Sequence, residues 1–407
     1  MAANARAAMS DRHALYFANF LRALATSMLG VMLGLYLARL AFTPAEIGAV
    51  ISAGLLGAAA ASLLTMLAGD RLGRRRLLLA FGTLAALGGL GVALGSTLVV
   101  VGVAAFVGMA NGMGKDRGAQ LVLETAMLPA TGTDRERTRN FAWYHVLQDS
   151  GHALGGLLAI VPDLLERYAD LGGAEPFRWA MGLYVLLTLA SAACYLRLSP
   201  AVEVAEPAQP LKLAPESRRI LWKISALFAL DSVSGGFFGA ALLAYFFHEH
   251  FGAGATAIAV LFVGARVMNA LSHLGAAWLA QRIGLVNTMV FTHIPSSLLL
   301  VTMVFMPDFE TAAVLFLLRE GLVEMDVPTR QSYVMAVVRP EERTFASALT
   351  HLVRVGGWAA APSFAGALMQ FVSLASPIFV GAALKISYDV MLWFAFRGIK
   401  PPEERER

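Results

Sequence analysis

The stretch GDRLGRRRLLL, residues 69–79, is a short loop with five charged side chains between two long apolar runs. The run before it, residues 45–69, and the run after it, residues 76–95, each hold about the 20 residues needed to cross roughly 30 Å of hydrocarbon. A turn this short between two such runs predicts a pair of antiparallel membrane helices. Because the loop is mostly basic, we expect it on the cytoplasmic side of the membrane.

The composition extends this interpretation to the whole chain. Of 407 residues, 57% are hydrophobic and 15% are charged, whereas soluble domains carry about 25% charged residues. The sequence therefore predicts an all-α polytopic membrane protein. The single cysteine, Cys194, excludes an intramolecular disulfide and a thiolate metal cluster. A net charge of +4 gives no indication of nucleic-acid binding. The sequence contains no nucleotide-binding or nucleophile motif that would indicate an enzyme.

Apolar runs separated by charged or Pro- and Gly-rich breaks predict twelve transmembrane helices. The first six cover residues 14–40, 45–69, 76–95, 97–129, 138–164 and 176–198. The second six cover residues 218–247, 254–280, 284–306, 309–336, 342–369 and 373–396. We expect a first six-helix bundle over residues 1–198, a cytoplasmic linker over 199–217, a second bundle over 218–396 and a cytoplasmic tail over 397–407.

The distribution of basic residues predicts the orientation. About twenty Lys and Arg lie on the side that holds both termini and the linker, against about three, Arg39, Arg167 and Arg178, on the other side. Since basic residues are retained on the cytoplasmic side, both termini are expected in the cytoplasm. We further expect a monomer embedded in the lipid of a bacterial cytoplasmic (inner) membrane.

The two halves of the chain resemble each other. RTRNFAWYHVLQDSG, residues 137–151, aligns with RTFASALTHLVRVGG, residues 343–357. A nearly equal offset pairs Gly30, Tyr36 and Phe42 with Gly239, Tyr245 and Phe251. Matches in several helices at nearly one spacing indicate a repeated six-helix unit in parallel orientation, as in one large class of secondary transporters.

The loop at residues 69–79 also resembles the signature between helices 2 and 3 of the major facilitator superfamily, G-x-x-x-D-R-x-G-R-[KR]. The matching positions are Asp70, Arg71, Gly73, Arg74 and Arg75. Met66 stands where the family's first Gly is usual, and AAWLAQRIG in the second half resembles the degraded copy of the loop. The resemblance implies two pseudo-symmetric bundles that rock about a central cavity, with this loop as a cytoplasmic gate motif.

A second string points to the direction of transport. SGHALGG in the fifth predicted helix resembles the G-P-x-x-G-G string of the superfamily's proton-coupled exporters. Gly151, Gly155 and Gly156 match, and His152 replaces the proline. The resemblance implies a proton-driven exporter that uses the proton gradient and no cofactor, although small residues at this spacing also serve any close helix contact.

The charge triplet Lys115, Asp116 and Arg117 follows the apolar run of the fourth helix. If that helix ended at Gly112, it would span only about 22 Å at 1.5 Å per residue, too short for the bilayer. We therefore expect one continuous helix over residues 97–129 with the triplet inside the membrane. A charge at the membrane centre costs about 2.5 to 3.5 kcal/mol on insertion scales, so such groups must pair or face a wet cavity.

The cost of placing charges inside the membrane also predicts two sets of functional residues. The candidates for the substrate cavity are Arg22, Lys115, Arg117, Asp231, Arg266, Arg319, Tyr36 and Tyr245. The candidates for proton coupling are Glu124, Asp231, Glu320, Glu324 and Asp326. Arg22 and Asp231 occupy corresponding places in the repeat, so we expect them to oppose each other across the cavity. The near balance of acids and bases favours an organic anion or a zwitterion as substrate over a lipophilic cation.

The leading hypothesis is a secondary active transporter that exports a small solute by proton-coupled alternating access. Alternatives are an uptake symporter for an organic anion and a transition-metal transporter. The metal alternative depends on His145, Asp149 and His152, which share one face of the fifth helix at a spacing acceptable for a metal site; hydrogen bonding within the cavity is the simpler interpretation. An alternative of another class is a membrane sensor with a transporter-like fold that does not transport.

Overall fold

The computed structural model describes residues 2–116, 118–132, 134–202, 215–326, 330 and 343–396, and these residues form helices and connecting loops without a strand. The first half contains α1 (Ala2–Arg39), α2 (Pro44–Leu72), α3 (Arg74–Leu94), α4 (Leu98–Gly108), α5 (Ala119–Met127), α6 (Asp134–Leu158), α7 (Val161–Ala169) and α8 (Glu175–Tyr195). The second half contains α9 (Pro215–Gly236), α10 (Ala240–Phe251), α11 (Ala255–Ile283), α12 (Leu285–Met303), α13 (Phe309–Val323), α14 (Arg343–Phe371) and α15 (Ser376–Phe396).

Length and apolarity confirm an all-α polytopic membrane protein. Within the described residues, seven helical segments are long and apolar enough to cross a membrane, and they lie in α1, α2, α3, α8, α9 with α10, α12 and α15. Leu98–Gly108 and Ala255–Asn269 are shorter apolar helices within the described residues. The count of twelve and the boundaries of the linker and tail stay predictions.

The internal repeat is visible in the helices that correspond to the second predicted membrane span of each half. Helices α2 and α11 are both 29 residues long, and each ends at a glycine that also begins the next helix. Gly73 has φ of 90° and Gly284 has φ of 86°. Positive φ favours glycine because it lacks Cβ, so the same tight turn is built at equivalent places in both halves.

Four helices that the sequence predicts as continuous are broken. The one predicted over residues 138–164 is divided, because α6 ends at Leu158 and α7 begins at Val161. The prediction of one helix over residues 97–129 is wrong, because α4 ends at Gly108 and α5 begins at Ala119. The predicted helix over 218–247 is likewise divided between α9 and α10, and the one starting at residue 309 ends at Val323. The segment MANGMGKDRG, residues 109–118, is rich in glycine, which is a poor helix former.

Polar side chains form hydrogen bonds with backbone groups that this break leaves without helical partners. The amide of Asn111 donates to the carbonyl of Lys115 at 2.6 Å and accepts from the N–H of Met113 at 2.8 Å. The N–H of Asp116 donates to Nε2 of His152 at 3.0 Å. Non-helical backbone inside a membrane protein is tolerated only where such partners are present. Lys115 and Asp116 are therefore inside the bundle, but on a loop between two half-helices; Arg117, the third residue of the triplet, lies outside the described residues.

The halves meet closely at one end of the bundle, which we call the closed end. There α1 packs against α10, and α2 packs against α14. A Cβ added to Gly34 would lie 2.3 Å from the carbonyl oxygen of Ala241, and one added to Gly48 would lie 2.2 Å from that of Pro362. Both distances are below any van der Waals contact, so glycine is what allows the backbones of the two halves to touch.

A hydrogen-bonded cap also joins the halves at the closed end. Oδ2 of Asp163, in the short helix α7, accepts from the N–H of Thr256 at 2.8 Å and from its hydroxyl at 2.6 Å. Thr256 lies in the first turn of α11, where backbone N–H groups lack helical partners and negative charge is favoured. Beside it, Arg39 and Glu166 form an ion pair at 3.5 Å, and their side chains retain 45% and 31% exposure.

We predict that Asp163→Ala loosens the closed end, because it leaves the first turn of α11 without its acceptor from the other half. Ala241→Cys, in a Cys194→Ser background, places a thiol at a fully buried position of the closed end. Its labelling by a water-soluble maleimide should be faster in the Asp163→Ala protein. Glu166→Ala is the control, since an exposed ion pair contributes about 0–1 kcal/mol. Equal labelling rates in all three proteins would contradict the role of Asp163.

Candidate functional site

The first half contains a buried cluster of charges around Arg22 of α1. Its Nε lies 2.6 Å from Oδ2 of Asp116, and its two Nη atoms lie 2.7 and 2.6 Å from the two carboxylate oxygens of Glu124. The contact with Glu124 is bidentate, the strongest geometry available to an arginine. Arg22 retains 5% exposure and Glu124 none. The predicted cavity residue and the predicted proton carrier thus neutralise each other inside one half.

Two tyrosines complete this cluster. The hydroxyls of Tyr144 and Tyr195 both donate to Glu124, the second at 2.7 Å, and that of Tyr195 also accepts from Arg22 at 2.7 Å. Both rings are fully buried. Since the carboxylate of Glu124 accepts two bonds from arginine and two from phenols, its lone pairs are used up within the cluster.

The second half contains a cluster around Asp231 of α9. Its carboxylate pairs with Lys385, with Arg330 at 3.2 Å and with Arg354 at 3.8 Å. Asp231 retains 2% exposure. Three cations from different helices therefore converge on one buried carboxylate.

His293 of α12 extends this cluster and was absent from the sequence-based candidates. Its Nε2 lies 3.3 Å from Asp326 and its Nδ1 lies 3.0 Å from Asp389, and Asp326 in turn pairs with Arg330. The imidazole is fully buried. The signal was present in the sequence, because an ionisable residue in the apolar run FTHIPSS marks a polar site by default.

The two clusters are related by the repeat with their charges reversed. Arg22 is a cation held by two acids, and Asp231 at the corresponding place is an acid held by three cations. Arg22 and Asp231 are thus not partners of each other in this structure, and their opposition across the cavity stays a prediction. Each residue is paired within its own half, which keeps both charges out of the apolar interior without a contact between the halves.

One ion pair joins the halves in the middle of the bundle. Lys115, in the break between α4 and α5, pairs with Glu324, at the end of α13. The side chains retain 23% and 16% exposure, more than the charges of the two clusters. The pair thus combines three properties: it crosses between the halves, it lies on two helix breaks, and water reaches it.

Two cavities meet at this ion pair. The first-half cavity is lined mainly by apolar and small side chains, among them Leu29, Leu55 and Tyr184. The second-half cavity is lined by many polar and charged side chains. Lys115, Met113 and Trp358 line both cavities. The two cavities are therefore neighbours that share one wall.

Predicted cavity residues line the second-half cavity. Nη2 of Arg266 lies 3.5 Å from the carbonyl of Gly114. Arg319 pairs with Glu320, which also accepts from the amide of Asn269 at 2.6 Å, and the Arg319 guanidinium lies 5.7 Å from the centre of the Phe238 ring. These groups place both signs of charge on one wall.

Two predicted cavity residues lie elsewhere. Tyr36 is fully buried, and its hydroxyl donates to the carbonyl of Ala93 at 2.8 Å while its ring stacks on Phe177. Tyr245 belongs to the same apolar core. Neither is among the residues that line the two cavities, so both are corrected to core positions. Arg117 lies outside the described residues.

The basic loop is anchored to helix ends of its own half. Arg74 donates to the carbonyl of Ala126 at 3.0 Å, and Arg75 donates to those of Tyr195 and Leu196 at 3.1 and 2.7 Å. Cations are favoured at these carboxyl ends. Arg71 is exposed, and the side chain of Asp70 lies outside the described part of the chain. The role of this motif as a gate stays a prediction.

The residues on which the metal-transporter alternative depends do not form a metal site. His152 is buried and accepts from the backbone of Asp116, whereas His145 and Asp149 are exposed. In the described residues no group of three or more His, Cys, Asp or Glu is arranged to hold a metal ion. Asp149 instead lies close enough to act on the charge of Arg266 in the other half.

Comparison with known proteins agrees with this architecture. The model of the Major Facilitator Superfamily matches residues 15–323. The chain belongs to this superfamily. A relative is an uncharacterized membrane protein of Saccharomyces cerevisiae, 24% identical over 97% of this chain and 96% of that protein.

Solved structures share the fold at low sequence identity. The nucleoside transporter NupG has a TM-score of 0.73 at 16% identity, covering 95% of this chain and 98% of that one. An auto-inhibited POT family peptide transporter has a TM-score of 0.72 at 13% identity, with 95% and 97% covered. A D-xylose-proton symporter has a TM-score of 0.67 at 13% identity, with 94% and 97% covered. The predicted fold, two bundles of the superfamily, is confirmed.

We predict that Arg22→Met strongly destabilises the protein, because it leaves the carboxylates of Asp116 and Glu124 buried without their cation. Removing one partner of a buried pair costs about 3–5 kcal/mol. Thermal unfolding of the purified protein in detergent measures the effect. Arg39→Met is the matched control, since its ion pair with Glu166 is exposed and worth about 0–1 kcal/mol. If the two variants melt at the same temperature, the cluster around Arg22 does not stabilise the fold.

Proposed function

We propose that this member of the superfamily is a secondary active transporter that exchanges a small solute for protons by rocking its two halves about the central cavities. The observation that carries the proposal is the ion pair between Lys115 and Glu324. It is the point at which a charge inside the membrane crosses between the halves and meets both cavities. A solute or a proton that changes this pair changes a contact between the halves.

The pairing supports Glu324 as the proton-carrying acid among the predicted candidates. Glu124 accepts four hydrogen bonds in a fully buried cluster, and Asp231 faces three cations. Asp326 pairs with Arg330 and His293, and Glu320 with Arg319. Glu324 lies at the cavity surface with 16% exposure, where it exchanges protons with water most readily.

Competition at this acid explains exchange. A proton on Glu324 and a cationic group of the solute exclude each other, because the cation pairs with the ionised carboxylate. The solute therefore displaces the proton, and a proton displaces the solute; when neither is bound, Lys115 pairs with the carboxylate. A site that cannot hold both at once couples the outward movement of solute to the inward movement of protons. Together with the glycine string in α6, this supports export. Of the two predicted classes of cargo, an organic anion and a zwitterion, the zwitterion supplies such a cationic group.

The proposal retains the orientation that the basic residues indicate. Both termini lie in the cytoplasm, and the closed end faces away from it. The cavities are then loaded from the cytoplasm, as an exporter requires. We propose a monomer in the bacterial cytoplasmic membrane, because each described half carries its own charge cluster and the cavities lie between the halves of one chain.

A thermal-shift screen against metabolites identifies solutes, since a ligand of the folded state raises its apparent stability. Proteoliposomes that enclose a pH-sensitive dye then test exchange. Adding such a solute on one side should move protons to that side, and an imposed pH gradient should drive accumulation of the labelled solute. Binding without proton movement or exchange of the solute would identify a sensor with a transporter-like fold.

We predict that Glu324→Gln abolishes accumulation driven by a pH gradient, because the amide cannot gain or lose a proton. Exchange of labelled for unlabelled solute should persist, although with weaker binding. Glu310→Gln, at the exposed start of the same helix α13, is the control and should behave as the unmodified protein. If accumulation by the Glu324→Gln protein still follows the pH gradient, another group carries the proton.

A further inference from the structure

From the way the two cavities share one ion pair, we infer that the solute is an amphipathic zwitterion. Its carboxylate or phosphate pairs with Lys115, its ammonium pairs with Glu324, and its apolar body occupies the first-half cavity. The inference rests on the proposed function and specifies the cargo.

The cost of breaking the central pair argues against a solute with one charge. A simple anion that takes Lys115 would leave the carboxylate of Glu324 without this cation in a partly desolvated cavity, and a simple cation would do the same to Lys115. Losing an ionic contact in a partly desolvated cavity costs free energy. A zwitterion offers a charged group to Lys115 and to Glu324 at once, so it replaces this contact on both sides.

The surrounding charges repeat this arrangement. Arg266 lies on the wall of the second-half cavity beside Glu320 and Glu324, and both acids act on its charge. Arg319, on the same wall, pairs with Glu320. Cations and acids therefore alternate over a short distance, and this pattern is complementary to a solute with two opposite charges rather than to a uniformly charged one.

The lining of the first-half cavity is the reason for inferring that the solute has an apolar body. Its charged lining residues include Arg22 and Asp116, which are buried and bound to each other at 2.6 Å. Much of its remaining lining is apolar, with Leu29, Leu55 and Tyr184 as large members. A cavity with this lining gains free energy from burying apolar surface. Because Lys115 also lines this cavity, a solute held there by its charged end extends naturally into it.

Matched probes test the inference. The panel consists of free amino acids and dipeptides, each with its N-acetylated form, which is an anion, and its C-amidated form, which is a cation. We expect thermal stabilisation by free forms with aromatic or long aliphatic side chains, and less by glycine. Acetylation or amidation should each weaken the apparent affinity about ten- to a hundred-fold, as expected for the loss of one charged hydrogen bond.

Two variants test which side chain recognises each charge of the solute. In Lys115→Gln the preference for a free form over its amide should disappear, because the partner of the carboxylate is gone. In Glu324→Gln the preference over the acetylated form should disappear, while that over the amide remains. Glu310→Gln should preserve both preferences. A role of the ion pair in folding alone would lower the melting temperature of both variants without changing either preference.

The possible outcomes distinguish a failure of the zwitterion inference from a failure of the proposed transport function. If acetylated or amidated probes bind as tightly as the free forms, the zwitterion inference is overturned while proton exchange remains open to its own assay. It is overturned equally if the screen yields a proton-exchanging solute with a single charge and no free form on the panel binds. If free forms bind and show both preferences but move no protons, the inferred ligand class stands and the transport proposal fails.

Discussion

A charge inside the membrane must be paired, and the interior of this protein is organised around that constraint. Arg22 is neutralised by Asp116 and Glu124 in the first half, and Asp231 by three cations in the second. These pairs are nearly inaccessible to water. Because the ion pairs around Arg22 and around Asp231 each form within one half, relative movement of the halves does not have to break them.

Sequence reasoning reached the parts of the structure that follow from local composition. The loop at residues 69–79, the parallel repeat and the presence of charges among membrane helices all follow from short patterns, and they were sufficient for the superfamily and the two-bundle fold. The tight glycine turns at Gly73 and Gly284 show why: an equivalent local requirement selects the same residue in both halves.

The arrangement of partners could not be predicted in this way. Hydrophobic length implies that the triplet at Lys115 is inside the membrane, but it does not distinguish a continuous helix from two half-helices whose break is satisfied by Asn111 and His152. Pairing of Arg22 with Glu124 rather than Asp231 depends on packing between helices distant in sequence. His293 was missed because a single histidine barely changes the hydropathy of its run.

The segment at residues 109–118 connects the cavities to the closed end. Besides the ion pair of Lys115, the second half contacts it at two backbone positions: the N–H of Ala241 donates to the carbonyl of Gly112 at 3.0 Å, and Arg266 approaches that of Gly114. Ala241 is also the residue that touches Gly34 at the closed end. A regular helix could not offer these carbonyls, because its own N–H groups would occupy them. The break therefore does more than expose a lysine. It lets one loop of the first half contact both the ion pair and the start of α10, so the cavities and the closed end share one segment of backbone.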